Sequence, residues 1–147
     1  MVSSLLWIVL LGCRPDVPPI SEPPTAASES AVSRLQPCPE SPNCVCSRED
    51  PADKEHFIEA LEAPAGDPMA ALKAALTAMP RVKVEEEAGG YLKTVFTSRF
   101  FRFKDDVEFE LDADAGLIHV RSASRLGHDD IGANRKRVEA IRVALGG

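Results

Sequence analysis

The stretch YLKTVFTSRFFRFKDDVEFELDADAGLIHVRSAS, residues 91–124, decides the fold. Its centre, DDVEFELD, alternates without a break: Val107, Phe109 and Leu111 fall on one side, Asp106, Glu108, Glu110 and Asp112 on the other. A period of two is that of a strand with one buried face. DADAG, residues 112–116, supplies a hairpin turn, and LIHVRSAS then places Ile118 and Val120 inward with His119 and Arg121 outward. Before the centre, YLKTVFTSRFFRF reads as one long strand, dense in aromatic and β-branched residues.

Further out, RVKVEEE is another strand, with Val82 and Val84 on one face and a turn at Gly89-Gly90 behind it. Asp67-Pro68 opens a helix, as N-cap and first helical residue. Met69, Leu72, Leu76 and Met79 recur at helical spacing until Pro80 stops the run. A last helix begins near Asp130 and buries Ile131, Val138, Ile141 and Leu145. The order α-β-β-β-β-α predicts the α+β class: an antiparallel four-stranded sheet with helices packed on one face, in two layers. The CPESPNC loop and residues to about Pro64 are expected along an edge of that sheet.

An apolar fraction of 44% and a charged fraction of 27% suit a globular domain. A net charge of −6 lacks the basic footprint of a nucleic-acid binder. The charge is uneven, however. Residues 117–147 carry six Lys/Arg against three acids, whereas the rest carries 11 basic and 20 acidic groups. An acidic protein ends in a basic segment.

The N-terminal MVSSLLWIVLLGCRPDV has an apolar run over residues 5–11, far short of the ~20 residues that span a bilayer as a helix. It fits the core of a secretory signal ending at Gly12. Leu10-Leu11-Gly12-Cys13 resembles the lipobox of bacterial lipoprotein signals. That resemblance implies a diacylglyceryl thioether on Cys13, which becomes the mature N-terminus and anchors the chain to one membrane leaflet. Arg14 follows where an aspartate would signal inner-membrane retention, so by the usual sorting rule the outer membrane is favoured in a Gram-negative cell. Residues 14–34 hold five prolines between Pro15 and Pro24 and few large apolar groups, the composition of a disordered tether. The expected organisation is a signal over residues 1–13, a tether over 14–34 and one α+β domain over 35–147, lipid-anchored in the cell envelope.

In an exported chain a disulfide is the default for cysteines. Cys38 and Cys44, separated by a proline-rich loop, are the expected pair, because Cys44 and Cys46 are too close in sequence to bond without strain. Cys46 is left over. A zinc site would need a fourth ligand such as His56, and the spacing matches no usual zinc pattern. No metal, cofactor or nucleotide fingerprint is legible.

Three stretches, CPESPNCVCS, YLKTVFTSRFFRFKDDVEFELD and IHVRSASRLGHDDIGANRKRVEAIR, together resemble the bacterial and plastid family called domain of unknown function 1499. The likeness covers roughly residues 35–145. The third stretch is the most specific, since RSxSRxGxxDxGxNRxR is not a pattern that strand and helix propensity alone generate. Where the family usually reads Cys-Val-Ser-Ser, this chain has Cys44-Val45-Cys46-Ser47, so Cys46 is an extra thiol. About activity the resemblance implies little.

The basic segment admits two readings. Ser122 and Ser124 continue the inward face of Ile118 and Val120, flanked by Arg121 and Arg125, while Asn134 is placed to cap a helix whose first turn holds Arg135, Lys136 and Arg137. Free amides, hydroxyls and cations at a helix start form an anion receptor. The ligand would be a small anion or a lipid head group held among Arg121, Ser122, Ser124, Arg125, Asn134, Arg135 and Arg137, with Asp105 and Asp106 beside them. Alternatively, the acids of the neighbouring strand neutralise these arginines across the sheet, and Asp106 locks Arg125 or Arg135 in a buried network fixing helix to sheet. A third option, an envelope hydrolase acting on an ester or phosphodiester, would draw on Asp105, Asp106 and His128 as acid/base groups. Adjacent strand residues face opposite ways, so the two aspartates are not expected to share a site. A binding module is the leading expectation, a hydrolase or a pure scaffold the alternatives, and no protein partner is indicated.

Overall fold

A computed structural model describes residues 32–147, which form one compact unit. The lipobox cysteine Cys13 and most of the expected tether lie outside the described residues. Eight elements follow in order: β1 (Cys44–Cys46), β2 (Leu61–Glu62), α1 (Pro68–Ala78), β3 (Val82–Ala88), β4 (Tyr91–Thr97), β5 (Lys104–Asp112), β6 (Leu117–Ser124) and α2 (Ala133–Ala144). No helix among the described residues is long and apolar enough to cross a membrane.

The α+β class holds, but the sheet has six strands rather than four. Its order is β1-β6-β5-β4-β3, and β2 also pairs with β6. β1 lies antiparallel against Arg121, Ser122 and Ala123, and β2 against Ile118 and Leu117. An uncovered β6 would present a row of unpaired backbone groups at the sheet edge. The segment expected to lie along that edge supplies two short strands to it instead. Strands of three and two residues are too short to show any periodicity, which is why they could not be read beforehand.

Register sets the core in layers. Leu92 sits opposite Phe109, which sits opposite Val120; in the next layer Thr94, Val107 and Ser122 align; in the next, Phe96, Asp105 and Ser124. All these side chains share one face with Leu72 and Leu76 of α1 and Val138 and Ile141 of α2. That face is apolar at one end of the strands and polar at the other. The Gly89-Gly90 turn has positive φ at both residues, 49° and 86°, as a two-residue type I′ hairpin requires. α1 begins as expected: Asp67 accepts the Ala70 amide at 3.0 Å, with Pro68 next in line.

Two boundaries differ from expectation. The long aromatic strand ends at Thr97. The Ser98 amide donates to the Phe103 carbonyl at 2.8 Å, and the Phe103 amide to Ser98 Oγ at 2.9 Å. These bonds close residues 98–103 into a loop, with Arg102 in the left-handed region at φ 58°. Aromatic content mimicked a strand there. α2 likewise starts at Ala133 instead of Asp130. Ile131, expected in the buried stripe, is 84% exposed and left-handed. Asp130 provides the cap, accepting the Gly132 amide at 2.9 Å and the Asn134 amide at 2.6 Å. Asn134 is therefore not a cap but a buried residue of the first helical turn.

Cys38 and Cys44 form the expected disulfide, and Cys46 is a buried free thiol. Phe109, at the middle of the sheet, is the largest of the fully buried side chains among the described residues. Phe109→Ala should lower the unfolding free energy by about 3–5 kcal/mol, read as a shifted midpoint in urea denaturation with the m-value unchanged.

Candidate functional site

Strand alternation divides the basic motif between the two faces of the sheet. On the helix face, Asp105 and Ser124 are cross-strand partners and Ser122 lies one layer in. α2 contributes Asn134 and Arg137, three residues apart and hence on one side of the helix. Ser122 Oγ donates to Asn134 Oδ1 at 2.6 Å. Arg137 donates to Ser122 Oγ at 2.9 Å and to Asn134 Oδ1 at 2.5 Å, and its other terminal nitrogen pairs with Asp105 Oδ2. The guanidinium also lies 5.0 Å from the Phe96 ring centroid. Asn134 Nδ2 donates to the Asn43 carbonyl at 2.9 Å and to Ser124 Oγ at 3.0 Å, and Asn43 Nδ2 donates to the Gly127 carbonyl at 2.5 Å. Six pieces of chain meet here: β4, β5, β6, α2, the segment before β1 and the β6–α2 loop.

The opposite face carries a separate ladder. Lys93, Glu108 and Arg121 are register partners across β4, β5 and β6, as are Tyr91, Glu110 and His119. Arg121 pairs with Glu108 at 3.0 Å, and Tyr91 Oη donates to the same carboxylate at 2.6 Å. Burial, and then Glu108, push the Tyr91 phenol well above its ordinary range. Arg125 makes a two-pronged contact with Asp106, Nε to Oδ2 at 2.9 Å and Nη2 to Oδ1 at 2.7 Å, and reaches Glu85 at 3.3 Å. This hydrogen bonding holds the Asp106 carboxyl below its usual range against the opposing effect of burial. Arg121 Nε is buried without a hydrogen-bond partner among the described residues.

The carboxylate that fixes helix to sheet is thus Asp105, through Arg137. Asp106 was expected in that role, but it lies one residue on in the strand and faces away from α2. Arg135 joins neither network: its Nη2 donates to the carbonyls of Lys54, Glu55 and Phe57 at 3.3, 3.1 and 2.8 Å. Of the residues singled out in sequence, the structure brings together Asp105, Ser122, Ser124, Asn134 and Arg137. It keeps Arg121, Arg125 and Asp106 on the other face and sends Arg135 to the 54–57 segment. His128 is exposed on the β6–α2 loop.

A shallow cavity of about 210 Å³ opens beside the first network, walled by Asp105, Ser124 and Arg137 below and by Phe103, Leu126 and Asp130 towards solvent. Its cation is already paired, so the floor does not favour an anion. A larger hollow of about 700 Å³ lies elsewhere, between Glu62 and Leu145. It contains none of the motif residues, and the Arg142 guanidinium at its wall is engaged by the carbonyls of Glu59 and Ala60.

One arrangement had no signal in the sequence. Ser47 Oγ lies 3.2 Å from His119 Nδ1, and His119 Nε2 lies 3.9 Å from Asp112. Burial and then the Arg48 charge lower the His119 pKa. The Asp112 distance exceeds a hydrogen bond. The amides of Ser47 and Glu49 already donate to the Val120 and Cys46 carbonyls, so neither is free to stabilise an oxyanion.

Fold and site define a small α+β domain in which a basic motif is matched by the protein's own acids and carbonyls. The chain belongs to the family described as a protein of unknown function, DUF1499, whose model matches residues 34–145. No curated protein matches the sequence significantly.

The two networks should respond differently to mutation. Arg137→Gln leaves a buried carboxylate unpaired and should cost about 3–5 kcal/mol, whereas Arg125→Gln, at a half-exposed pair, should cost at most ~1 kcal/mol; urea titration of the two variants checks both. The pH dependence has a definite sign. Because the Asp106 pKa is depressed on folding, its contribution is complete above the ordinary Asp range near pH ~4 and is lost as pH falls through the folded value. Arg125→Gln should therefore flatten the acid limb of a stability–pH profile.

Proposed function

We propose that this protein is a non-catalytic binding module, lipid-anchored in the cell envelope, and that its basic motif frames the binding end of the domain. The observation that carries the reading is the matching of guanidinium groups. Arg121 meets Glu108, Arg125 meets Asp106, Arg137 meets Asp105, and Arg135 meets three carbonyls. The anion anticipated for this segment is supplied from within. What the motif holds in place is the pair of loops at the polar end of the sheet, residues 98–103 and 125–132. Catalytic and binding groups are commonly carried on loops positioned by a rigid scaffold.

The envelope address is supported by the likeness of Leu10-Leu11-Gly12-Cys13 to a lipobox and by the proline-rich stretch that follows. The disulfide between Cys38 and Cys44 agrees with an oxidising compartment outside the cytoplasm. Arg14 after the cysteine favours the outer membrane. The hydrolase alternative has one observation in its favour, the Ser47–His119 contact, and would require ester turnover that vanishes in Ser47→Ala.

Two measurements test the proposal. Cells fed labelled palmitate should incorporate it into the wild-type chain but not into Cys13→Ser. In thermal melts, phosphate, sulfate and citrate should shift the wild-type and Arg125→Gln midpoints equally, through their general exclusion from the protein surface alone. An anion that stabilises the wild type but not Arg125→Gln would instead establish a receptor at Arg125 and remove the framing role.

A further inference from the structure

We propose that the β4–β5 loop, residues 98–103, is an insertion tip that seats the domain on the surface of a bilayer containing anionic lipids. The proposal goes beyond the tether and does not depend on it.

The loop is built against ordinary solvent exposure. Phe100 and Phe101 are 81% and 78% exposed, and Phe103 is half exposed. Leu126, which shares a cavity wall with Phe103, is 71% exposed. Ile131, next in chain to the wall residue Asp130, is exposed too. Single exposed apolar residues need no explanation, but a cluster of large ones marks a contact surface. These five come from two neighbouring loops at the same end of the sheet.

The charges say what the surface contacts. Between Thr97 and Asp105 the chain reads Ser-Arg-Phe-Phe-Arg-Phe-Lys, with Arg99, Arg102 and Lys104 interleaved among the phenylalanines and no acid present. This occurs in a protein of net charge −6. The far ends of the same strands are acidic, with Glu86 and Glu87 leading into the β3–β4 turn and Asp112 and Asp114 at the β5–β6 turn. The tip itself is therefore basic and aromatic, while the neighbouring loop sets Asp129 and Asp130 beside Leu126 and Ile131. Aromatic rings at the headgroup level with cations beside them match an anionic membrane interface. A protein partner would more commonly be met by an apolar centre with a polar rim. Here the cations lie within the apolar run, in the loop that joins the β4–β5 hairpin.

The tip is also preorganised. The two bonds between Ser98 and Phe103 close its base. Phe101 stacks on Phe103 with ring centroids 5.5 Å apart, and the Arg99 guanidinium lies 5.5 Å from the Phe100 centroid. The Arg125 amide donates to the Lys104 carbonyl at 3.0 Å, joining the tip to the motif loop. Little conformational freedom is left for a membrane to remove.

The test uses the full chain carrying Cys13→Ser, which bears no acyl group, so its outcome is independent of lipidation. Sedimentation with phosphatidylcholine vesicles containing phosphatidylglycerol should be strong, and weaker with phosphatidylcholine alone. Adding Phe100→Ser and Phe101→Ser should reduce binding at least ~10-fold with the melting temperature unchanged. Adding Arg99→Gln and Arg102→Gln should remove the preference for phosphatidylglycerol and most of the salt dependence. Binding that persists unchanged in the double-serine variant would assign membrane contact to the apolar N-terminus and overturn the proposal. Concentration-dependent dimerisation that the serines abolish, without vesicle binding, would overturn it in favour of a second copy of the chain.

Discussion

The ion pair between Arg137 and Asp105 is the constraint on which the rest of the domain depends. Both side chains are largely withdrawn from water, at 13% and 8% exposure, and such a pair is stable only if its remaining hydrogen-bonding capacity is filled. Ser122, Asn134 and the Phe96 face fill it. Asn134 passes the connection on to the Asn43 carbonyl and Ser124, and Asn43 passes it to Gly127. One buried guanidinium therefore sets where α2 crosses the sheet, where β1 joins β6 and how the β6–α2 loop is held. An apolar contact of the same volume would pack as well, but would leave α2 free to slide along a face that is uniformly greasy. The hydrogen bonds of this network have direction, and direction is what fixes a register.

The uneven charge of the sequence resolves into two faces of one sheet. On the helix face a single cation is buried with a single carboxylate. On the other, cations and carboxylates alternate across strands, from Lys93 to Glu108 to Arg121, with Arg125 and Asp106 at the end of the ladder. Glu110 extends it: burial alone would raise its pKa, but Ser33, the Arg34 amide and Arg48 outweigh burial and lower it. Three of the six bases in the last part of the chain, Arg121, Arg125 and Arg137, are thus paired with acids of β5. What looks like an anion receptor in one dimension contains three internal ion pairs in three.

How much of this was legible in the sequence depended on the length of each signal. β5 was readable because its alternation runs unbroken through Asp112, and α1 because Asp67-Pro68 and Pro80 bracket it chemically. β1 and β2 were not, since two or three residues carry no period. Residues 98–103 misled because aromatic content is shared by strands and by exposed tips; only the closing bonds at Ser98 separate the two. Ile131 misled in the same way, being apolar at helical spacing yet held outside the helix by the Asp130 cap. The motif residues stood out as a stretch, but their division between the two faces of the sheet did not, although the opposition of Asp105 and Asp106 followed from strand geometry. Which of the two aspartates reaches α2 did not, because that depends on how the helix lies over the sheet, and no local pattern encodes it.

The location of the polar network has a mechanical consequence. Core layers run from Leu92, Phe109 and Val120 at one end of the strands to Phe96, Asp105 and Ser124 at the other. Apolar packing tolerates small displacements, while a network of short, directed bonds does not, so the polar end is the stiffer for fine positioning. Both loops that carry exposed apolar residues, 98–103 and 125–132, spring from that end. A loop with few buried contacts of its own would ordinarily fluctuate. Here each is tied within a few residues to the network, through Lys104 and Arg125 on one side and Gly127 and Asp130 on the other. The motif thus places its directed hydrogen bonds next to loops whose apolar side chains are exposed.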